Sequence, residues 1–177
     1  MIIREELLGR KKSDFNDDLT FSNRPKIIEA AYGILLNLFP GAEILKANQG
    51  EDINGTDHWV IPKNGQRLSV DIKARRFDRG KNDVALEPWS IKEKNIEGWT
   101  RNGNKRTDYI LFYWHDTGKF YFESFHILRV AYMKNWREWL EKFYSPEQPN
   151  KGWTSQCTFV PIGVLKDAMR NVTEGYL

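Results

Sequence analysis

The sequence predicts a mixed α/β fold in which a central β-sheet is flanked by helices. Alternating apolar and polar residues in two segments, 57–76 and 107–125, indicate two hairpins of neighbouring strands. Apolar residues at helical spacing in 26–39 and 126–144 indicate two amphipathic helices. Strand and helix signals alternate along the chain, and this order is typical of helices packed against one sheet.

The composition is that of a globular chain that forms one domain. Hydrophobic residues make up 40% and charged residues 29% of the 177 residues, and the net charge of +3 permits a nucleic-acid partner without requiring one. We expect an N-terminal arm over 1–21 and a single domain over 22–177. The only cysteine, Cys157, excludes a disulfide or a cysteine-only metal cluster within one chain. The opening MIIREELLGRKKSDF lacks a signal-peptide pattern, so a cytoplasmic location without membrane contact is expected.

The first half of the chain gives clear start and stop signals. Ser22 and Asn23 precede Pro25, which suits the first turn of a helix, and Pro40-Gly41 ends that helix. Residues 43–47 predict a short strand, and 48–56 predict a polar loop. The dipeptide Asn64-Gly65 lies between two alternating segments and is a strong hairpin signal.

The second half predicts further strands and helices. Residues 83–90 indicate a strand that ends at a proline, 91–98 a brief helix, and 116–118 the turn of the second hairpin. The stretch CTFVPIGVL predicts a late strand, and residues 163–170 predict a last helix. The aromatic residues of 109–124 and 126–143 supply either the core or the surface of a homodimer.

The segment RLSVDIKARR, residues 67–76, places an aspartate and a lysine on one strand face. Leu68, Val70 and Ile72 alternate with polar residues, so Asp71 and Lys73 point to the same side. These two side chains form either a plain surface ion pair or part of a metal-dependent hydrolytic site.

Residues on three predicted elements favour the hydrolytic interpretation: Glu29 on the first helix, Asp57 at the start of a strand, and Asp71-Ile72-Lys73 on the next strand. This ordered set resembles the PD-(D/E)xK nuclease superfamily. The resemblance covers about residues 22–126 and implies a restriction-endonuclease-like αβββαβ core, with 127–177 as a C-terminal elaboration. Glu29 is similar to the helix glutamate of the branch that includes archaeal Holliday junction resolvases. One departure is Thr56, which stands where the family motif has proline.

Hydrolysis of a phosphodiester needs a nucleophilic water and relief of the charge on the phosphate, and a hard divalent cation supplies both. Mg²⁺ or Mn²⁺ is therefore the expected cofactor, held by Asp57, Asp71 and the backbone carbonyl of Ile72. Glu29 and Glu87 are further candidate ligands, and the loop residue Asp52 is the substitute if Asp57 points away. Lys73 orients or deprotonates the attacking water. The predicted catalytic residues are Glu29, Asp57, Asp71 and Lys73.

The register of the first hairpin decides whether the two aspartates meet. A two-residue turn at Asn64-Gly65 places Asp57 opposite Ile72 and therefore away from Asp71. A three-residue loop over 63–65, with Gly65 left-handed, places Asp57 opposite Asp71. Apolar pairs favour the first register and the carboxylates favour the second. We expect the three-residue loop or a bulge.

Basic residues follow the acidic strand and recur further along, with Trp89 and Trp99 among them, in a pattern that suits a phosphate backbone. The predicted nucleic-acid contacts are Arg75, Arg76, Arg79, Lys81, Lys105 and Arg106. The expected function is a metal-dependent endonuclease that acts on DNA, resolvase-like or repair-like, with a homodimer as a further expectation. A non-catalytic nucleic-acid-binding or protein-interaction module and a small type II restriction enzyme are the alternatives.

Overall fold

The computed structural model describes residues 20–78 and 80–174, so most of the predicted N-terminal arm lies outside the described residues. The helices are α1 (Pro25–Leu38), α2 (Gln49–Ile53), α3 (Phe125–Lys142) and α4 (Ile162–Thr173). The strands are β1 (Glu43–Lys46), β2 (His58–Ile61), β3 (Leu68–Arg75), β4 (Asp83–Ile91), β5 (Ile96–Glu97), β6 (Tyr109–Trp114), β7 (Phe120–Ser124), β8 (Glu147–Asn150) and β9 (Trp153–Pro161).

The strands form two sheets. The first is five-stranded, with the order β1-β2-β3-β6-β7, and β3 and β6 are its parallel pair. The second is four-stranded and antiparallel, with the order β5-β4-β9-β8. The predicted mixed α/β class with a mixed central sheet is confirmed, whereas the second sheet was not predicted.

The core lies on both faces of β6. Ile110, Phe112 and Trp114 are buried in one apolar cluster with residues of α3, α4 and the second sheet. Leu111 lies on the opposite face, in a second cluster where Ala31 and Leu35 of α1 pack against β2 and β3. The first sheet is therefore covered by α1 on one face and, over β6, by α3 and the second sheet on the other.

Four of the aromatic residues in the segments considered for a dimer surface are buried inside the monomer instead. Tyr113, Trp114, Trp136 and Trp139 are each at most 8% exposed. Burial of an aromatic side chain inside the monomer leaves it unavailable to a second copy of the chain. The interpretation of these residues as core is therefore confirmed.

Two local predictions are wrong. The polar segment 48–56 contains α2, because the side chains of Asn48 and Glu51 each accept a hydrogen bond from the other's backbone N–H in a capping box. The helix predicted over 91–98 is only a 3-10 turn at Lys92–Lys94 followed by β5. In the αβββαβ order, the chain therefore has β4 and β5 between β3 and β6 where the helix was expected.

The later elements differ from the predicted ones mainly in their first and last residues. β4 continues through Pro88, and its register with β9 shifts between Leu86 and Trp89. β9 begins at Trp153, before the predicted start, and ends at Pro161, before the predicted end; α4 begins at the next residue, Ile162. A bulge lets a strand pass a proline because the missing N–H then falls outside the regular ladder.

The first hairpin has the three-residue-loop register. His58 pairs with Val70 and Val60 with Leu68. Gly65 has φ 78° and donates its backbone N–H to the carbonyl of Pro62 at 2.9 Å. A glycine takes up this left-handed conformation without strain, so it sets the loop length and with it the pairing of β2 with β3.

The two sheets are joined by a largely buried ion pair. Nη1 of Arg75, on β3, lies 2.9 Å from both Oδ1 and the backbone oxygen of Asp83, on β4. The Arg75 guanidinium also lies 5.1 Å from the ring centroid of Phe159 on β9. Arg75 thus has a structural role at the junction of the sheets.

Among the described residues, no helix is long and apolar enough to cross a membrane.

We predict that Asp83→Ala destabilises the fold by about 2–3 kcal/mol, because it leaves the Arg75 guanidinium without its carboxylate partner at a site largely shielded from water. The measurement is the free energy of unfolding in urea. Asp167→Ala is the control, since its pair with Arg170 is exposed, and we expect a change below about 0.5 kcal/mol there. Equal losses in the two variants would contradict the structural role of Arg75.

Candidate functional site

Asp57 and Asp71 come together at the open end of the β2–β3 ladder. Asp57 directly precedes β2, and the register that pairs His58 with Val70 places it across from Asp71. The Ile72 backbone N–H donates to Oδ2 of Asp57 at 3.2 Å, which holds this carboxylate against β3. Asp71 is 6% exposed, and Asp57 is half-buried. Strand pairing therefore brings together two acidic residues that are separate in sequence.

Lys73 lies beside both carboxylates. Its Nζ is 2.8 Å from Oδ2 of Asp71, and 35% of its side chain is exposed. The same ammonium lies 5.2 Å from the ring centroid of Trp99, within cation–π range. Lys73 is therefore held between a carboxylate and an indole while part of it still faces solvent.

The close approach of like charges changes the proton affinity of these groups. The pKa of Asp57 is raised to about 8. Burial is the main cause and the negative charge of Asp71 is the second, whereas the positive charge of Lys73 lowers this pKa. Burial alone would lower the pKa of Lys73, but the charges of Asp71 and Asp57 outweigh it and raise that pKa. The cluster consequently favours a protonated Asp57 and a charged Lys73.

Glu87 of β4 joins this cluster from the second sheet. Its Oε2 accepts the backbone N–H of Trp99 at 3.1 Å, and Thr100 Oγ1 bridges the backbone N–H and carbonyl of Glu87. Burial raises the pKa of Glu87, while the positive charges of Lys73 and Lys105 act against that shift. The structure therefore brings the candidate residue Glu87 within electrostatic range of Lys73.

The loop that presents Asp57 is fastened to the segment before β6. The Arg106 N–H donates to the carbonyl of Asn54 at 2.8 Å, and the Thr107 hydroxyl donates to the carbonyl of Gly55. Gly55 has φ 98°, and a Cβ there would lie 2.8 Å from Thr107 Oγ1, so glycine is required at this position. Thr107 was not among the predicted site residues, because its contact with Gly55 spans 52 residues and leaves no local pattern in the sequence.

A divalent cation fits the donor atoms of this cluster. Within the part of the chain that the structure describes, Oδ1 of Asp71 is buried without a hydrogen-bond partner, and a buried oxygen of this kind favours a ligand. Ile72 lies beyond the His58–Val70 pair of the β2–β3 ladder, and in a strand its carbonyl points to the same side as the N–H that reaches Asp57. Asp57, Asp71 and this carbonyl are the predicted ligands.

Over residues 20–78 and 80–174, no group of three or more His, Cys, Asp or Glu side chains is arranged to hold a metal ion. The candidate set therefore consists of two carboxylates and one carbonyl. Mg²⁺ commonly binds through one or two carboxylates and keeps several waters, so a set of this size suits it.

Two acidic candidates lie elsewhere. Glu29 is exposed on α1, whose buried side chains pack on the sheet face of Val60 and Val70, opposite the face of Asp71. The placement of Glu29 beside the aspartates is thus not reproduced, because the helix phase that buries Ala31 and Leu35 turns Glu29 to solvent. Asp52 is exposed on α2 and is not needed as a substitute, since Asp57 faces Asp71.

The predicted nucleic-acid contacts divide into several groups. Arg75 is engaged with Asp83, as described above, and the Arg76 guanidinium stacks 5.1 Å from the ring centroid of Phe21. Lys81 and Arg106 are exposed, and Lys105 is half-buried near Glu87. Arg79 lies outside the described residues. Lys81, Lys105 and Arg106 are therefore the predicted contacts whose location suits a partner best.

Comparisons of the chain with models of protein families, with curated proteins and with solved structures found no match.

We predict that Asp57→Asn stabilises the folded protein at alkaline pH by about 2 kcal/mol. A carboxyl whose folded pKa exceeds its unfolded value near 4 costs stability as the pH rises above about 4, and the cost is complete above the folded pKa. Asparagine keeps an acceptor for the Ile72 N–H and carries no charge. The measurement is the free energy of unfolding in urea at about pH 4.5 and pH 8.5. A stabilisation that does not grow with pH would contradict the raised pKa.

Proposed function

We propose that this chain is a metal-dependent endonuclease that hydrolyses phosphodiester bonds in DNA. The observation that carries the proposal is the meeting of Asp57 and Asp71 on one sheet face. One buried carboxylate oxygen of Asp71 has no hydrogen-bond partner among the described residues, and the Lys73 ammonium lies 2.8 Å from the other oxygen. Two carboxylates and one amine at the end of the β2–β3 ladder form a minimal set for metal-assisted phosphoryl transfer.

The proposed metal, Mg²⁺ or Mn²⁺, supplies an activated water and neutralises charge on the phosphate. Asp57, Asp71 and the Ile72 carbonyl would bind it, and the hydrogen bond from the Ile72 N–H keeps the Asp57 carboxylate in place. Lys73 is held beside Asp71 with part of its side chain exposed, so its ammonium binds the phosphate oxygens and orients the attacking water. The negative charge of Glu87 also favours the charged form of Lys73.

The resemblance to PD-(D/E)xK nucleases supports the same activity. Its supporting features are a first helix, three antiparallel strands, an acidic residue before the second strand and the Asp71-x-Lys73 pattern on the third strand. Thr56 in place of the motif proline, the exposed position of Glu29 and the strands in place of a second helix are departures from that family. The activity is therefore proposed on Asp57, Asp71 and Lys73, without Glu29.

DNA is the proposed substrate because basic residues lie on the segments around the cluster. Lys105 and Arg106 belong to the segment that fastens the Asp57 loop, and Lys81 lies in the connection after β3. Contacts of this kind bind phosphates and weaken as salt increases. A cytoplasmic location, resolvase-like or repair-like action and a homodimer that cuts both strands belong to the same proposal.

A non-catalytic binding module is the second candidate. The close Lys73–Asp71 pair favours it, because the ammonium occupies one of the oxygens that a metal would use. Salt-sensitive DNA binding without hydrolysis in Mg²⁺ or Mn²⁺ would select this candidate. Cleavage at one defined sequence would instead indicate a small restriction enzyme.

We predict that the purified protein cleaves plasmid or branched DNA in Mg²⁺ or Mn²⁺, and that Asp71→Asn and Lys73→Met each lower the rate at least about 100-fold. The two variants remove a metal ligand and the ammonium. The measurement is the initial cleavage rate at saturating metal.

Glu138→Gln on α3, an exposed residue far from the cluster in the sequence, is the matched control and keeps the full rate. Thermal unfolding checks that each variant is folded. Undiminished cleavage by Asp71→Asn, or intact DNA with both metals, would reject the proposed activity.

A further inference from the structure

Trp59 lies on the same face of the first sheet as the two aspartates. Its neighbours His58 and Val60 are 7% and 0% exposed and point toward α1, so Trp59 points to the opposite face. Asp57 and Trp59 are two residues apart, a separation of about 7 Å along an extended chain. Trp59 is therefore a near neighbour of the two carboxylates along the chain and on the same sheet face.

This part of the sheet face is open. Over β6 the same face is covered, since Ile110, Phe112 and Trp114 are buried under α3 and the second sheet. Over β1 and β2 the side chains reach solvent: Leu45, which pairs with Trp59 across the strands, is 40% exposed, and Trp59 itself is half-buried. The indole thus reaches solvent only in part, and the Arg67 guanidinium lies over its ring, so a base that stacks there takes the place of that guanidinium.

Arg67 shows which group the indole accepts. Its side chain is exposed, and its guanidinium lies 4.4 Å from the ring centroid of Trp59. A guanidinium stacks on an aromatic ring because it is flat and cationic, and a nucleobase stacks on the same kind of surface. The cation also suits the phosphate that accompanies each base.

We propose that Trp59 is a stacking platform for an unpaired base of the DNA strand, next to the phosphate that is cleaved, and that Arg67 contacts the adjoining phosphate. The position next to the cleaved phosphate rests on the proposed nuclease function. A base inside a duplex already stacks on its neighbours and has to be extruded before it reaches a side chain. The site therefore favours strands with unpaired nucleotides over continuous duplex.

The test measures binding by fluorescence anisotropy in the Asp71→Asn background, which prevents hydrolysis of the probe. One probe is a fluorescein-labelled oligothymidine, and the other is a strand of equal length that carries abasic sites throughout. Trp59→Ala is expected to weaken binding of oligothymidine about tenfold and to leave binding of the abasic strand unchanged, whereas Trp59→Phe retains most of the affinity. Arg67→Ala is expected to weaken binding of both strands.

Phe120→Ala is the matched control, because Phe120 is an exposed aromatic residue, 45% exposed, on β7 at the far edge of the same sheet. This variant is expected to bind both strands as the parent does, and thermal unfolding of every variant monitors folding. Equal losses for Trp59→Ala on the two strands, or no binding of either strand by the parent, would overturn the platform.

Cleavage by the natural sequence separates this inference from the proposed function. Base-dependent binding through Trp59 without any hydrolysis would reject the nuclease activity and support the platform. Hydrolysis together with binding that ignores the bases would support the nuclease activity and reject the platform.

Discussion

The pairing of β2 with β3 is the constraint on which the rest of the site depends. Side chains alternate along a strand, so a slip of one residue would send Asp57 to the face that α1 covers. The left-handed Gly65 and its hydrogen bond to Pro62 set the loop length. The same register keeps His58 and Val60 under α1, so the packing of the core and the meeting of the two aspartates are satisfied together.

Bringing the charges together costs stability, and the surrounding structure offsets part of that cost. Asp57 and Asp71 repel each other, as the raised pKa of Asp57 reflects, and Lys73 reduces this repulsion. Trp99 contributes in two ways, since its ring lies near the Lys73 ammonium and its backbone N–H holds Glu87. Gly98 allows the segment before Trp99 to lie close to β4, because a Cβ at this position would be 2.2 Å from the Glu87 carbonyl oxygen. Such clustering of like charges is typical of functional sites.

The connection between β3 and β6 gives the molecule its particular form. This connection enters the second sheet as β4 and β5 and returns through the segment that holds both Glu87 and the Asp57 loop. The Arg75–Asp83 ion pair attaches the first residue of β4 to the end of β3 in the first sheet. The second sheet thereby covers the part of this face over β6, whereas Leu45 of β1 and part of Trp59 of β2 reach solvent.

The sequence by itself determined the local features. Alternation on β3 placed Asp71 and Lys73 on one face, Asn64-Gly65 located the hairpin, and apolar spacing located α1 and α3. Only the tertiary structure decided the register that brings Asp57 to Asp71 and the ion pair of Arg75 with Asp83. It also decided that Glu87 lies near Lys73 and that Glu29 is exposed. The physical reason is that periodicity reports which face a side chain takes within its own element. Which faces meet depends on contacts between distant segments, such as Thr107 with Gly55, and these contacts exist only in the folded chain.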